Sequence, residues 1–343
     1  MVAEVEIPSE VVEQYERDGA VLLKGVFSPS WVIKVQDGIM KNLEKPSQYS
    51  ERLVAKEGEG AYFDDYCNWS RIEEFRDYVF NSPAAFLAAT FMRSSEVSFY
   101  HEHVLNKEPG TSKRTPWHHD QAYYPIDGEK VCSLWMPVDP VPRQTCVQFV
   151  AGSHLWPSWF YPRKFASGMN YAIKENKEVE DKKRKCFVDL PIQDIEAGKW
   201  PLLQWECEPG DAIIFHMKTV HGAPGNASFC THRRVLSTRW LGEDAVLATR
   251  PWEVSPPITG GLKPGQRAVC DTFPIVYTSD GRKTAPLMQS TPLLAAYESL
   301  VRHFNKDLLR LTPVRNMREL MSLERTLPKT LARMPNMRVR VGT

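Results

Sequence analysis

In the first 94 residues, hydrophobic side chains recur at the three- and four-residue spacing of helices. One such run follows Ser28-Pro29, a favourable N-cap and first helical position, and comprises Trp31, Val32, Val35, Ile39 and Leu43. Ser70 and Glu73 have the spacing of a capping box before a second run, and Ser82-Pro83 precedes a third. We therefore predict that residues 1–94 are mainly helical.

From about residue 95 the hydrophobic period changes from near 3.6 to two, which is the period of a strand. The first such segment predicts one strand face made of Val97, Phe99, His101, His103 and Leu105. Further short strands are predicted at 131–138, 147–150, 212–215 and 233–240, each bounded by Gly, Pro, Asp or Asn. Many short strands with long connections are typical of a jelly roll. We predict a mainly β protein with flanking helices, in which residues 95–245 form a double-stranded β-helix (jelly-roll or cupin-like) core.

Two segments fall outside this predicted core. Residues 162–185 end in Asp-Lys-Lys-Arg-Lys and predict an insertion over one end of the sheet. Residues 246–343 predict a C-terminal extension, first rich in proline and then forming a helix over about 292–304. The basic end of this extension fits either a solvated tail or a contact surface for an anionic substrate or partner. We predict that residues 1–343 form a single catalytic domain.

Composition and charge exclude several classes of protein. The 343 residues contain 43 Lys and Arg against 42 Asp and Glu, so the net charge of +1 gives no indication of a nucleic-acid partner. No apolar run reaches the roughly 20 residues that span a bilayer, and the acidic start lacks the features of a signal or transit peptide. The seven cysteines are scattered, as is typical of reduced thiols. We expect a cytoplasmic protein without a membrane span; the sequence does not predict its oligomeric state.

The segment Trp117-His118-His119-Asp120 carries the strongest candidate chemistry. Because residues two apart share a face of a strand, His118 and Asp120 are predicted to point together and His119 to point away. A His-x-Asp sequence alone fits equally a histidine that is hydrogen-bonded to an aspartate at the end of a strand. The motif therefore needs a third ligand to indicate a metal.

A second histidine follows a predicted turn, Glu208-Pro209-Gly210-Asp211, and the strand after it. His221 is preferred to His216 because Gly222 after it lets the backbone approach a ligand closely. Two histidines and one carboxylate are the usual ligands of non-heme Fe(II) enzymes that activate O2. Zinc hydrolases use the same ligand types, so the motif alone leaves that alternative open.

Two arginines follow this histidine in the predicted strand at 233–240. Alternation along the strand turns only one of Arg233 and Arg234 inward. A buried arginine can hold the carboxylate of a dicarboxylic acid with two parallel hydrogen bonds. An iron centre and an inward arginine together favour an oxygenase that consumes a dicarboxylate cosubstrate.

In their order along the chain, these segments resemble the Fe(II)/2-oxoglutarate dioxygenases, and within them the phytanoyl-CoA dioxygenase family. The similarity begins near residues 15–25 and is strongest at 105–107, 117–120, 123–125, 131–135 and 151–154; it resumes at 210–215, 221–226 and 233–237. The resemblance implies that His118, Asp120 and His221 are iron ligands and that Arg233 anchors the far carboxylate of 2-oxoglutarate. It further implies that Trp135 and His103 line the cosubstrate pocket.

The sequence also departs from the family pattern at three places. Gln144-Thr145 and Ala151 replace residues of a turn, and Ala223 stands where a small hydroxylated residue is common. The alanine removes one possible hydrogen bond to the cosubstrate. In halogenating relatives a small residue replaces this aspartate and leaves its ligand position to chloride. Because Asp120 is present here, the resemblance implies oxygenation.

The activity implied is oxidation of 2-oxoglutarate by O2 to succinate and CO2, coupled to oxidation of a second substrate. Hydroxylation is the expected outcome, and desaturation or ring chemistry stays open. We expect that substrate to be a small organic molecule. Two alternatives stay open at this point: a hydroxylase of protein or peptide side chains, and a non-catalytic relative that only binds a metal or ligand. Members of the family act on chemically diverse molecules, so the resemblance does not assign phytanoyl-CoA as the substrate.

Overall fold

The computed structural model describes residues 7–174 and 187–280. All of them belong to one compact unit. The helix predicted at about 292–304 and the basic tail lie outside the described residues, as do residues 175–185 of the predicted insertion.

Four helices in the first 94 residues confirm that this part of the chain is rich in helix. The described helices are α1 (Ser9–Asp18), α2 (Pro29–Glu44), α3 (Glu73–Asn81), α4 (Ala84–Met92) and α5 (Ile192–Glu196). Helix α2 begins at Pro29, as its sequence predicts. The capping-box prediction is wrong, because α3 begins at Glu73 with Ile72 as its N-cap and has no side-chain capping bond. None of the helices in the described residues is long and apolar enough to cross a membrane.

Sixteen strands make up most of the regular structure of the described residues. They are β1 (Ala20–Leu23), β2 (Glu51–Leu53), β3 (Tyr62–Tyr66), β4 (Glu96–Lys107), β5 (Thr115–His118), β6 (Ile126–Asp127), β7 (Val131–Pro137), β8 (Gln148–Val150), β9 (Trp159–Phe160), β10 (Phe187–Val188), β11 (Leu202–Leu203), β12 (Ala212–His216), β13 (His221–Ala223), β14 (Arg233–Leu241), β15 (Val246–Leu247) and β16 (Ile275–Thr278). The mainly β fold class is confirmed.

Two antiparallel sheets form the core. The large sheet has eight strands in the order β1-β12-β7-β14-β4-β3-β2, with β16 also paired to β4, and the small sheet has the order β11-β8-β13-β5. Trp135, Ile213 and Val235 on the large sheet pack in one hydrophobic cluster with Phe149 and Ala223 on the small sheet. This cluster between two sheets is the arrangement expected of a jelly roll.

The sequence predicts that residues 95–245 form the core, but the large sheet extends beyond these residues. Strands β1, β2 and β3 come from the first 94 residues, and β16 comes from beyond residue 246. The remaining N-terminal chain forms a helical layer that packs on the large sheet. Residues from α2, α3 and α4, such as Ile39, Phe75 and Leu87, pack in one cluster with Leu236 and Trp240 on β14.

Strand β4 contains a bulge that re-aims its side chains. Arg239 on β14 pairs with His101 and the next residue pairs with Phe99, so Tyr100 is an extra residue on β4. Phe99 lies in the cluster below the helices, whereas His101 and His103 line a cavity on the inner side. The prediction of one continuous face from Val97 to Leu105 is therefore wrong. Bulges of this kind are common beside active sites.

Candidate metal centre and adjoining cavity

His118, Asp120 and His221, the metal triad, come together between neighbouring strands. His118 is the last residue of β5 and the direct cross-strand partner of His221, the first residue of β13. Asp120 follows β5 in a short 3-10 turn. Its Oδ1 lies 3.6 Å from Nε2 of His118 and 3.7 Å from Nε2 of His221. Each residue offers a ligand atom, and these atoms all lie within 4.8 Å of one another.

Backbone carbonyls fix the orientation of both imidazole rings in the triad. Nδ1 of His118 lies 2.8 Å from the carbonyl of Pro116, and Nδ1 of His221 lies 2.9 Å from that of Thr219. With the proton donated from Nδ1, each Nε2 carries a free lone pair, as a metal ligand requires. Burial lowers the pKa of His221 to about 3. His221 is therefore neutral at pH 7, the form that binds a metal.

The second oxygen of Asp120 is held by two residues of the large sheet. Oδ2 accepts a 2.6 Å hydrogen bond from Ser133 and lies 3.2 Å from Nη2 of Arg239. Burial alone would raise the pKa of Asp120, but the charge of Arg239 lowers it well below its usual value. The carboxylate is therefore ionised, and Oδ1 faces the two histidines.

The other two histidines of these segments point elsewhere. His119 is turned away from the triad and lies 3.3 Å from the backbone of Phe160. Nε2 of His216 donates to the carbonyl of Glu129 at 2.9 Å, and Nδ1 accepts from the N–H of Lys218. The close approach at Gly222 serves packing: a Cβ there would lie 3.1 Å from the ring of Trp117.

Arg233 and Lys107 form a buried basic pair where β14 and β4 meet. The two residues are direct cross-strand partners, and both are buried, at 5% and 1% exposure. Arg233 donates to the carbonyl of Thr145, and Nζ of Lys107 donates to that of Pro224 at 2.7 Å. No carboxylate among the described residues forms an ion pair with either. Burial lowers the pKa of both groups, so an anion bound here would stabilise their charged forms.

Trp135 lies in the cluster between the sheets, together with Cys146, the neighbour of Thr145. His103 lines the cavity beside the triad, and that lining does not include Arg233 or Trp135. Its Nε2 is 3.1 Å from Oδ1 of Asp64. The structure thus places Trp135 in the cluster between the sheets and His103 in the cavity.

A cavity of about 610 Å³ opens beside the triad. Phe165 packs edge-on against His118, with ring centroids 5.1 Å apart, and stacks on His103 at 6.4 Å. Phe165, His103, His118 and Asp120 all line this cavity. The other lining residues include Tyr49, Glu51, Asp64, Tyr66, His101, Tyr123, Tyr124, Lys164, Tyr171, Lys174, Arg239 and Glu253. Five tyrosines and several charged groups make it a polar, aromatic cavity of the size that holds a small molecule.

Sequence reasoning missed four residues of the site. Arg239 lies six residues after Arg233, so alternation along one strand could have found it. Ser133 lies two residues before Trp135 and shares its face of β7. Lys107 and Asp64 carry no such signal, because their roles depend on contacts with β14 and β4 that only the folded sheet brings about.

A family model and a named relative indicate the same family for this chain. The family model described as phytanoyl-CoA dioxygenase (PhyH) matches residues 15–235. A Caenorhabditis elegans protein named probable phytanoyl-CoA dioxygenase is 24% identical over 260 residues, which cover 67% of this chain and 74% of that protein. The range matched by the family model, residues 15–235, contains the positions of the metal triad and the basic pair.

Solved structures share the fold. The non-heme alpha-ketoglutarate-dependent carbocyclase SnoK from nogalamycin biosynthesis has a TM-score of 0.61 at 22% identity, covering 79% of this chain and 97% of its own. The epimerase SnoN, solved with Fe3+, alpha-ketoglutarate and nogalamycin RO, has a TM-score of 0.59 at 22% identity, covering 78% and 98%. At this identity the likeness establishes the jelly-roll fold.

Proposed function

Because the chain belongs to the phytanoyl-CoA dioxygenase family, we propose that it uses Fe(II), 2-oxoglutarate and O2 to hydroxylate a small organic molecule. The balanced reaction converts substrate C–H, 2-oxoglutarate and O2 into C–OH, succinate and CO2. One oxygen atom enters the new hydroxyl group and the other enters succinate. The observation that carries this proposal is the convergence of two Nε2 atoms and one carboxylate oxygen in the metal triad.

The donor set of the triad fits Fe(II). Two imidazoles and one carboxylate leave the remaining octahedral positions open for small ligands. Every other polar atom of the three side chains is already engaged, by Pro116, Thr219, Ser133 or Arg239. Such outer contacts orient metal ligands in known sites. Bound iron would supply the redox chemistry that couples the two oxidations.

The basic pair supports 2-oxoglutarate as the cosubstrate. Arg233 and Lys107 are buried without an acidic partner in the described part of the chain, and a buried basic group favours an anion. A dicarboxylate can bind a metal at one end and the guanidinium of Arg233 at the other. Trp135 would then pack beside it. A zinc hydrolase would not need this buried basic pair, because it uses no dicarboxylate cosubstrate.

The cavity supports a small-molecule substrate. Phe165 and Tyr123 pack against the ring of His118 and leave the open side of the triad facing the cavity. A small molecule bound in the cavity would contact these aromatic side chains. The hydroxyl of Tyr123 is itself held by the carbonyl of Arg163 at 2.5 Å, which keeps the ring in position.

Succinate formation by the full-length chain tests the proposal. The protein is supplied with Fe(II), 2-oxoglutarate and O2 without an organic substrate, and slow uncoupled release of succinate and CO2 in equal amounts is expected. His118→Ala should abolish this release. His216→Gln is the matched control, because His216 is a buried histidine outside the triad, and it should retain wild-type turnover. Equal succinate formation by His118→Ala and the wild type contradicts the proposal.

A further inference from the structure

One side of the cavity beside the metal triad is acidic. Asp64 is 4% exposed and lines the cavity. Its Oδ1 lies 3.1 Å from Nε2 of His103, whereas Oδ2 is buried and has no hydrogen-bond partner within residues 7–174 and 187–280. Burying a carboxylate oxygen without a donor is unfavourable. The free oxygen of Asp64 therefore favours a ligand that brings a hydrogen-bond donor.

A second carboxylate lies directly beside this one. Glu51 on β2 is the cross-strand partner of Asp64 on β3, and both side chains line the same cavity. Like charges directly opposite each other in a sheet repel. Partial burial and the charge of Asp64 raise the pKa of Glu51, and the charges of His103 and Lys113 offset this rise only in part. We call Asp64 and Glu51 the acidic pair.

The positive groups of the cavity do not neutralise Asp64. Arg239 contacts Asp120 and donates to the hydroxyl of Tyr124 at 2.9 Å. Lys164 and Lys174 line the same cavity but are exposed. Among the described residues, His103 is the one basic side chain within 4 Å of Asp64, and it is positive only when protonated. A cation from outside the chain would therefore satisfy both carboxylates.

Aromatic rings next to the acidic pair suit a cationic group. Tyr49 and Tyr66 stack with ring centroids 5.0 Å apart, and the ring of Tyr66 lies edge-on to His103 at 5.5 Å. Both tyrosines line the cavity. Electron-rich aromatic faces attract ammonium groups, so the rings and the carboxylates favour the same ligand chemistry.

The acidic pair lies within reach of the metal triad. His103 contacts Asp64, Phe165 stacks on His103, and Phe165 also packs against His118. One molecule of moderate size can therefore contact the acidic pair and the triad together. We propose that the natural substrate carries a protonated amine that binds between Asp64 and Glu51, so that a carbon further along the molecule faces the metal triad.

This inference rests on the proposed function for the identity of the site and adds the class of substrate. The test is a calorimetric titration of the full chain, kept anaerobic with Fe(II) and 2-oxoglutarate, with phenethylamine as the probe. Two probes of similar size, 2-phenylethanol and 3-phenylpropanoate, supply a neutral and an anionic comparison. A charge-assisted hydrogen bond predicts that the amine binds about tenfold or more tightly than the alcohol.

Matched variants identify which carboxylate recognises the positive charge of the probe. Asp64→Asn and Glu51→Gln should each reduce the preference for the amine. Glu57→Gln removes an exposed carboxylate that does not line this cavity and should leave the preference for the amine unchanged. Thermal denaturation checks that each variant is folded. Glu51 is exposed, so its variant still tests the inference if Asp64→Asn fails to fold.

The outcomes separate the two proposals. Equal binding of amine and alcohol, no binding of the amine at millimolar concentration, or tighter binding of the anion each overturns the amine site. A preference that survives both Asp64→Asn and Glu51→Gln also overturns it. Succinate release by the wild type without organic substrate is measured separately. Its absence, together with a clear amine preference, contradicts the proposed function and leaves the amine site standing.

Discussion

The guanidinium of Arg239 lies 3.2 Å from Oδ2 of Asp120, the carboxylate oxygen that does not face the two histidines of the triad. Arg239 is the direct cross-strand partner of Ser133, whose hydroxyl donates to the same oxygen. Two neighbouring strands of the large sheet therefore hold a carboxylate that is contributed by the small sheet. This contact fixes which oxygen is offered to a metal.

Loss of this contact should weaken metal binding. We expect Ser133→Ala and Arg239→Lys to reduce the affinity for Fe(II) by about 10- to 100-fold, the usual effect of removing a group that orients a ligand. Calorimetric titration with Fe(II) under anaerobic conditions measures the change. Arg234→Lys is the control, because Arg234 lies on the other face of β14 and pairs with Asp139. Unchanged affinity in both site variants would show that Asp120 needs no support.

Changes to the basic pair should affect 2-oxoglutarate and leave iron binding intact. Arg233→Met and Lys107→Met each remove one basic group from the proposed carboxylate site. We expect the KM for 2-oxoglutarate to rise by about tenfold or more, since a hydrogen bond to a charged group is worth about 1.5–3 kcal/mol. Steady-state succinate formation at varied 2-oxoglutarate gives both kcat and KM.

Arg234→Met is again the matched control for the basic pair, and its KM for 2-oxoglutarate should match that of the wild type. If Arg233→Met binds 2-oxoglutarate as the wild type does, the carboxylate binds elsewhere. A normal KM in Lys107→Met alone would assign the anchor to Arg233 alone.

His216 should make the fold sensitive to acid. Burial lowers its pKa to about 3, below the value of about 6.5 in an unfolded chain. Between these values the unfolded chain binds more protons, so the stability from neutral His216 is lost as pH falls from about 6.5 toward 3. The geometry agrees, because protonation of Nδ1 would break the hydrogen bond from the N–H of Lys218.

Urea unfolding at a series of pH values measures this effect. This group contributes at most about 1.4 kcal/mol per pH unit to the free energy of unfolding. His216→Gln should therefore show a shallower loss of stability below pH 6.5 than the wild type does. Parallel curves for the two proteins would mean that His216 titrates alike in the folded and unfolded states.

Much of the metal centre could be predicted from sequence because its signals are local. His118 and Asp120 are two residues apart at the end of a strand, so alternation alone turns them together and His119 away. A turn, a buried strand and a second turn place His221 at a strand end. The helices near the start and the strands at 131–138, 212–215 and 233–240 follow from periodicity in the same way.

The remaining parts of the site depend on contacts between distant residues. Asp64 meets His103 only because β3 pairs with β4, and Arg239 meets Asp120 only because the two sheets face each other. The extra residue Tyr100 reverses the faces of β4, and no local sequence pattern predicts this bulge. Short strands such as β1 and β2 carry too few residues for a period to be recognised.

The most direct test of the central claim is an anaerobic titration of the full chain with Fe(II) and 2-oxoglutarate, followed by visible absorption. Chelation of Fe(II) by the keto acid at the metal triad predicts a weak charge-transfer band that appears only when both components are present. The band should be absent in His118→Ala and retained in His216→Gln. No band in the wild type, or the same band in His118→Ala, would contradict the assignment of this site to iron and 2-oxoglutarate.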